Sequence, residues 1–369
     1  MKVLTDSALL DVAGGIEWNT LQVATALAQR GHDLRVMFAR DGALRAHYER
    51  ANIALEGPVD FAFESRSPVR SLARFARAGA LARRFAPDVL WLNRVEHVQW
   101  AMVVAARTHT RVVCQLHHMP RVEGESRLLG RVAHFVAVSR FTRDAWVAAG
   151  VPAEKITVIY NAVPSGDYPY GGEGERSLAR RRLNLQERAA IVLFYGRVSE
   201  DKGLGTLLDA WATLGLDPRD ALLLIVGAPS PWDVPSLAAR LAGLDSAVRY
   251  VGAQEDIVAY LHASDLVAVP SLAPEAFGRV ATEALTSGRP VVATRSGALG
   301  EILSGPMSRF VVDVGDAGQL ASRIGALLDW RVAEPSLGER CHVWAETSFP
   351  FEDTVSALES VLARFARSR

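Results

Sequence analysis

The residues best suited to chemistry lie between Pro270 and Glu301. Glu275 sits in a Pro/Ala loop, and Glu283, eight positions on, falls in a helical pattern that ends at Gly288-Arg289-Pro290. Two acids on a loop and its adjoining helix suit two polyols of one ligand, a sugar and a ribose, and so a nucleotide-sugar. A carboxylate such as Glu283 has enough lone pairs for both hydroxyls of a ribose cis-diol. Between the acids, Ala276, Phe277 and Gly278 would offer backbone N–H groups at a helix N-terminus. The run Gly196 to Gly203, GRVSEDKG, places Arg197 and Lys202 between an apolar strand and a helix. Two cations there would neutralise a departing diphosphate. Lys202 is one of only three lysines among 41 basic residues, which singles it out from ordinary surface charge. Gly14 and Gly15 precede a helix, where absent Cβ atoms let a backbone approach a diphosphate. His117, beside His118, follows an apolar strand directly, and Gly227 ends another; the ends of parallel strands are where ligands bind. Blander roles exist for each: a plain turn for the glycines, a solvated loop for the cations, an exposed helical face for Glu283, a packed histidine for His117.

Positioning these residues requires alternating strands and helices. Val36–Phe38, Val89–Leu92, Val112–Leu116, Phe135–Val138, Ile191–Tyr195, Leu222–Val226, Leu266–Val269 and Val291–Ala293 read as strands. Helical spacing between them covers Leu21–Gln29, Thr206–Leu214, Val280–Ser287 and Gln319–Leu328. Such alternation predicts the α/β class with parallel sheets covered on both faces. The polar, Pro- and Gly-rich stretch 166–175 reads as an interdomain linker.

These motifs together resemble retaining glycosyltransferases of family 4. The glutamate pair matches the E-x7-E signature, GRVSEDKG matches the G-R-x(4)-K-G element, and Gly14-Gly15-Ile16-Glu17 with the helix after it matches the N-terminal glycine loop. The resemblance implies a GT-B architecture, two Rossmann-like domains facing across a cleft. It divides the chain into an acceptor domain over 1–165, completed by a helix at 350–369, and a donor domain over 176–349. It implies a retaining hexosyltransferase-like enzyme that moves a sugar from a nucleotide-sugar, UDP-linked by family frequency, to a hydroxyl of a glycan, lipid or natural product. Glu275 and His117 would contact the transferred sugar, Arg197 and Lys202 the diphosphate, and Glu283 the ribose. A same-face displacement in which the leaving phosphate takes the acceptor's proton needs no separate base, cofactor or metal. One departure is Gly297-Ala298, where the family often has two glycines. The alternatives are a sugar-nucleotide epimerase of the same fold or a catalytically silent nucleotide-sugar-binding subunit.

The 369 residues suit two domains, with 49% hydrophobic content giving each a sizeable core. Net charge is zero, with 21 basic and 16 acidic residues up to Tyr170 and 20 and 25 beyond it, so nucleic acid is not an expected partner. Two cysteines, Cys114 and Cys341, form no disulfide framework and no metal spacing. No signal-like or membrane-spanning apolar run stands out, so a cytoplasmic setting is expected. The arginine-rich stretch Arg66–Arg84 reads first as an ordinary packed helix, with peripheral contact at the inner membrane face as its second reading.

Overall fold

A computed structural model of the chain describes residues 1–11, 14–120, 126–229, 239–240 and 246–367. It divides into two compact units, Met1–Asn161 with Glu352–Arg369 (unit 1) and Ala162–Phe351 (unit 2). Residues 166–175 run within unit 2: Tyr168 is buried, and Gly171 exchanges bonds with Ser287 and Arg289.

In unit 1, seven parallel strands are β1 (Lys2–Leu9), β2 (Asp33–Arg40), β3 (Ala54–Glu56), β4 (Val89–Leu92), β5 (Arg111–Leu116), β6 (His134–Ala137) and β7 (Ile156–Val158). Their order is β3-β2-β1-β4-β5-β6-β7. Winding therefore runs outward in both directions from the junction of β1 and β4. Unit 2 repeats the plan with β8 (Ala190–Tyr195), β9 (Ala221–Val226), β10 (Val248–Tyr250), β11 (Leu266–Val269), β12 (Val291–Thr294) and β13 (Val311–Val312), in the order β10-β9-β8-β11-β12-β13. Here the reversal falls between β8 and β11. Central strands such as AIVLFY of β8 and ALLLIV of β9 are apolar almost throughout because helices cover both faces. β1 contains buried Thr5, Asp6 and Ser7, which hid it from a search for apolar runs. The short β3, β7, β10 and β13 likewise lack a long apolar signal.

The helix Phe351–Phe365 closes unit 1. Its Val355, Leu358 and Leu362 are buried, while Arg30 bonds Glu352 (2.6 Å) and Glu359 (2.7 Å). The Thr354 hydroxyl donates to the Tyr160 carbonyl (3.0 Å), and Arg367 reaches the carbonyls of Thr108 and Pro87. The arginine-rich helix Pro68–Phe85 buries Phe75, Ala78, Ala82 and Phe85, packing against the helix Val98–Thr108. Its apolar face is thereby part of the core of unit 1.

A buried charge cluster anchors the opposite end of the unit 2 sheet. Asp265, just before β11, accepts from Arg176 Nε (2.9 Å), Arg180 Nη2 (2.7 Å), Arg331 Nε (2.8 Å) and the Ile191 amide (2.8 Å). Arg180 is fully buried and also donates to the carbonyls of Gln186, Glu187, Ala189 and Ala263. Burial alone would raise the Asp265 pKa, but Arg180, Arg176 and Arg331 hold it below the usual carboxylate range. At the ligand end of the sheet, Gly227 has φ +150°, and a Cβ on it would stand 1.7 Å from the Gly196 carbonyl oxygen. The turn after β9 thus lies directly on the turn after β8, a contact only glycine permits.

Two consequences are measurable by chemical denaturation. Asp265→Asn leaves three guanidinium groups around a neutral amide and should destabilise unit 2 by about 3–5 kcal/mol. A carboxylate whose folded pKa is depressed stabilises fully above the ordinary range and loses that contribution as pH falls through the folded value. The variant's stability should therefore fall less steeply on acidification; an unchanged acid limb would show that Asp265 carries no such charge. Gly227→Ala should cost on the order of 3 kcal/mol through clash and backbone strain, and wild-type stability would contradict the packing described.

Candidate nucleotide-sugar site

The carboxyl ends of β8, β11 and β12, adjacent strands that flank the winding reversal of unit 2, carry most of the residues singled out above. β8 ends in the turn at Gly196, and a short 3-10 segment, Glu200–Lys202, leads into the helix Leu204–Leu214. β11 leads through Ser271–Gly278 into the helix Arg279–Thr286. Backbone amides of Leu272 and Ala273 both donate to the Asp201 carbonyl (2.9 and 3.0 Å), which fastens the loop after β11 to that 3-10 segment.

The loop is also fastened to the chain beyond β12. Thr294 and Ser296 hydroxyls donate to the carbonyls of Ser271 and Ala273 (2.7 Å each), and the Ala298 amide donates to the Glu275 carbonyl (2.9 Å). Glu275 and Gly297 form a parallel bridge, with Gly297 at φ +61°. A Cβ on Gly297 would lie 2.3 Å from the Glu275 carbonyl oxygen, so glycine is required there, while its neighbour Ala298 is accommodated in the buried interior.

Within this frame Lys202 and Glu275 meet across the reversal: Lys202 Nζ is 2.5 Å from Glu275 Oε1. The Ser271 hydroxyl donates to the same oxygen (2.7 Å). Arg197 is half-exposed and pairs with Asp201 (2.5 Å). Both cations therefore have an internal carboxylate partner, and an incoming diphosphate would compete for them.

Glu283 is buried, bonded by two tyrosine hydroxyls and paired with one guanidinium. The Tyr168 hydroxyl (3.0 Å) and Arg279 Nε (2.7 Å) meet Oε1, and the Tyr195 hydroxyl (2.8 Å) meets Oε2. Burial, reinforced by the Glu283 charge, pushes both tyrosines well above their ordinary pKa, so they remain donors. Burial opposes the charge on Arg279, but the Glu283 carboxylate outweighs it and raises the pKa. The two tyrosine hydroxyls take one lone-pair position on each carboxylate oxygen, while the Arg279 contact is an ion pair without hydrogen-bond geometry. Tyr168, Tyr195 and Arg279 did not stand out in the sequence. Arg279 was legible as an i,i+4 partner of Glu283; Tyr168, over a hundred positions away, was not.

The other expected residues are placed as follows. Gly278 is the N-cap of the helix Arg279–Thr286, Phe277 packs edge-on against Phe349 (5.8 Å), and Ala276 lies in the loop beside them. Gly227 adjoins this frame through Gly196. Gly14, His117 and His118 are in unit 1. Gly14 caps the helix Gly15–Gln29, while buried His117 and half-buried His118 follow β5, with the His118 carbonyl held by Trp146 Nε1 (2.8 Å). Among the described residues, no three His, Cys, Asp or Glu side chains group as ligands for a metal, and no helix is long and apolar enough to cross a membrane.

Residues 13–166 match the profile described as Glycosyltransferase Family 4, and residues 189–329 match Glycosyl transferases group 1. Curated relatives include a D-inositol 3-phosphate glycosyltransferase from Salinispora tropica, 32% identical over 65% of this chain and 54% of that protein. A protein of the same name from Acidothermus cellulolyticus is 29% identical over 86% of this chain and 78% of its own length. The match thus spans little more than half of the Salinispora relative. Among solved structures, HepE of Anabaena in complex with UDP and glucose superposes with a TM-score of 0.85 at 23% identity, covering 99% of this chain and 100% of that one. Sucrose-phosphate synthase of Thermosynechococcus elongatus gives 0.78 at 20% identity, covering 98% of each chain. Two parallel-sheet Rossmann-like domains, with GT-B glycosyltransferases as structural neighbours and both family profiles in order along the sequence, lead to one conclusion: the chain belongs to glycosyltransferase family 4.

Proposed function

We propose that the chain is a retaining glycosyltransferase that moves a sugar from a UDP-linked donor to a hydroxyl acceptor. The observation that carries this reading is the Lys202–Glu275 pair across the winding reversal of unit 2, with Arg197 on the same turn. Open α/β sheets bind ligands at that place. The names of the curated relatives support sugar transfer, and the UDP and glucose in HepE support the donor class.

In the proposed reaction Lys202 and Arg197 leave their carboxylates for the donor diphosphate and disperse its charge as the bond to the sugar's anomeric carbon breaks. Glu275, released from Lys202, receives sugar hydroxyls. Glu283 takes the ribose hydroxyls, held in place by Tyr168, Tyr195 and Arg279. His117 belongs to the sugar contacts by family resemblance alone. The acceptor oxygen forms its bond on the face the diphosphate leaves, and the acceptor's proton passes to the departing phosphate oxygen. No metal is invoked, because two side-chain cations already oppose the developing charge.

Calorimetry with UDP tests the donor site. Lys202→Ala should weaken UDP binding about 10–100-fold, the worth of one charge-assisted hydrogen bond. Glu275→Gln should bind UDP at least as tightly as wild type, because Lys202 then has no carboxylate to leave, yet it should lose most sugar turnover from UDP-glucose. Wild-type UDP affinity in Lys202→Ala would remove the phosphate role. Product stereochemistry, read by proton NMR of the anomeric signal, should match that of the donor; the opposite anomer would exclude retention.

A further inference from the structure

The helix Pro68–Phe85 lies between β3 and β4 in the chain and turns one face into the core of unit 1. Its opposite face is open to solvent. Residues 65–87 contain six arginines and no aspartate or glutamate. Among the described residues, Arg74 is the one member of the six with carboxylate partners, Asp60 (3.1 Å) and Glu64 (3.0 Å). Arg70, Arg77 and Arg84 are all exposed and recur every seventh residue. At 1.5 Å per residue and two turns per step, they form one nearly straight row about 21 Å long.

Beside that row runs an apolar strip. Val69 is 80% exposed and Leu72 48% exposed, both in the first turns of the helix, and Ala73 and Ala80 continue the strip along the same side. The outward face thus offers guanidinium groups and aliphatic surface, and no carboxylate, amide or aromatic side chain. Specific protein interfaces rest on aromatic anchors and polar pairing, which this face lacks. Nucleic acid would take the cations but has no use for open aliphatic side chains among them. A bilayer with anionic head groups answers both features. Its phosphates can take the row of guanidinium groups, and the boundary between head groups and acyl chains can take the aliphatic ones. Arginine stems are long enough to lie along the strip while their charged ends reach the phosphates.

We infer that this face docks unit 1 on an anionic phospholipid bilayer, with Arg70, Arg77 and Arg84 against head-group phosphates and Val69 and Leu72 in the layer beneath them. The inward face of the helix is already packed in the core, so the contact is a reversible one at the surface and not an insertion of the helix. β3 and β4 run in the same direction, so the helix returns antiparallel to them and its first turns lie at the carboxyl end of the sheet. Docking therefore brings that end of unit 1 to the membrane.

Cosedimentation of the full chain with vesicles tests this. The protein should pellet with vesicles of phosphatidylglycerol mixed equally with phosphatidylcholine, and stay in solution with phosphatidylcholine alone. Raising the salt to about 0.5 M should release most of it. Arg70→Gln, Arg77→Gln and Arg84→Gln together should weaken binding on the order of 100-fold. Val69→Ser with Leu72→Ser should weaken it too, with the salt dependence kept. A charge-matched control in unit 2, Arg181→Gln with Arg188→Gln and Arg249→Gln, removes three exposed arginines elsewhere and should bind as wild type. Thermal melts report folding; if the first triple does not fold, Arg77→Gln alone decides, with about a 5-fold loss expected. No binding to anionic vesicles, equal binding to neutral ones, undiminished binding by the first triple, or equal loss in the control would overturn the inference. So would retention on heparin or polyglutamate without vesicle binding, which would assign the face to a polyanionic macromolecule. UDP calorimetry should read the same in all these variants, so the donor site and the docking face stand or fall separately.

Discussion

A parallel sheet whose winding runs outward in both directions opens a crevice at the strand pair where the direction changes, and this chain builds that constraint twice. Every other feature of the candidate sites follows from it. The loops leaving two neighbouring strands at the reversal depart toward opposite faces of the sheet, so side chains from both can converge without backbone crowding between them. In unit 2 the convergent pair is Lys202 after β8 and Glu275 after β11. In unit 1 it is Asp6 within β1 and His97 after β4.

The two crevices are charged in different ways. In unit 2 the Lys202–Glu275 and Arg197–Asp201 pairs are partly open to solvent, where ion pairs are worth little and exchange easily. Such pairs keep the cations ready without committing them, and a diphosphate carries more charge than either carboxylate it displaces. In unit 1 the Asp6–His97 and Glu17–Arg94 pairs are more deeply enclosed. Breaking an enclosed pair is costly, so these groups act as a fixed hydrogen-bonding surface rather than as exchangeable counter-ions.

Rigidity comes from the network behind the crevices. Asp265 and its three arginines hold the start of β8 and β11 together, while hydroxyl-to-carbonyl bonds from Thr294 and Ser296 fasten the loop that carries Glu275. A glycine at 227 and another at 297 allow backbone segments to touch where any side chain would intervene. Together they decide where Lys202 and Glu275 are held.

Much of the fold was legible in the sequence, because apolar runs such as ALLLIV and helical spacing report local periodicity, and periodicity reports burial. The glutamate pair and the Arg197–Lys202 element were legible for the same reason: their spacing along a loop and a helix is local. Strand β1 was harder, since Asp6 is buried by partners that lie about ninety positions away and leave no local trace. The partners of Glu283 divide in the same way, Arg279 one helical turn off and Tyr168 in a distant segment. Sequence by itself determined the α/β class, the family and which acids and cations are candidates, because those rest on residue type and short-range spacing. Tertiary structure alone decided which of them meet, that Lys202 rests on Glu275, and that a second polar crevice lies at His97, because such pairings depend on strand order, which no local pattern encodes.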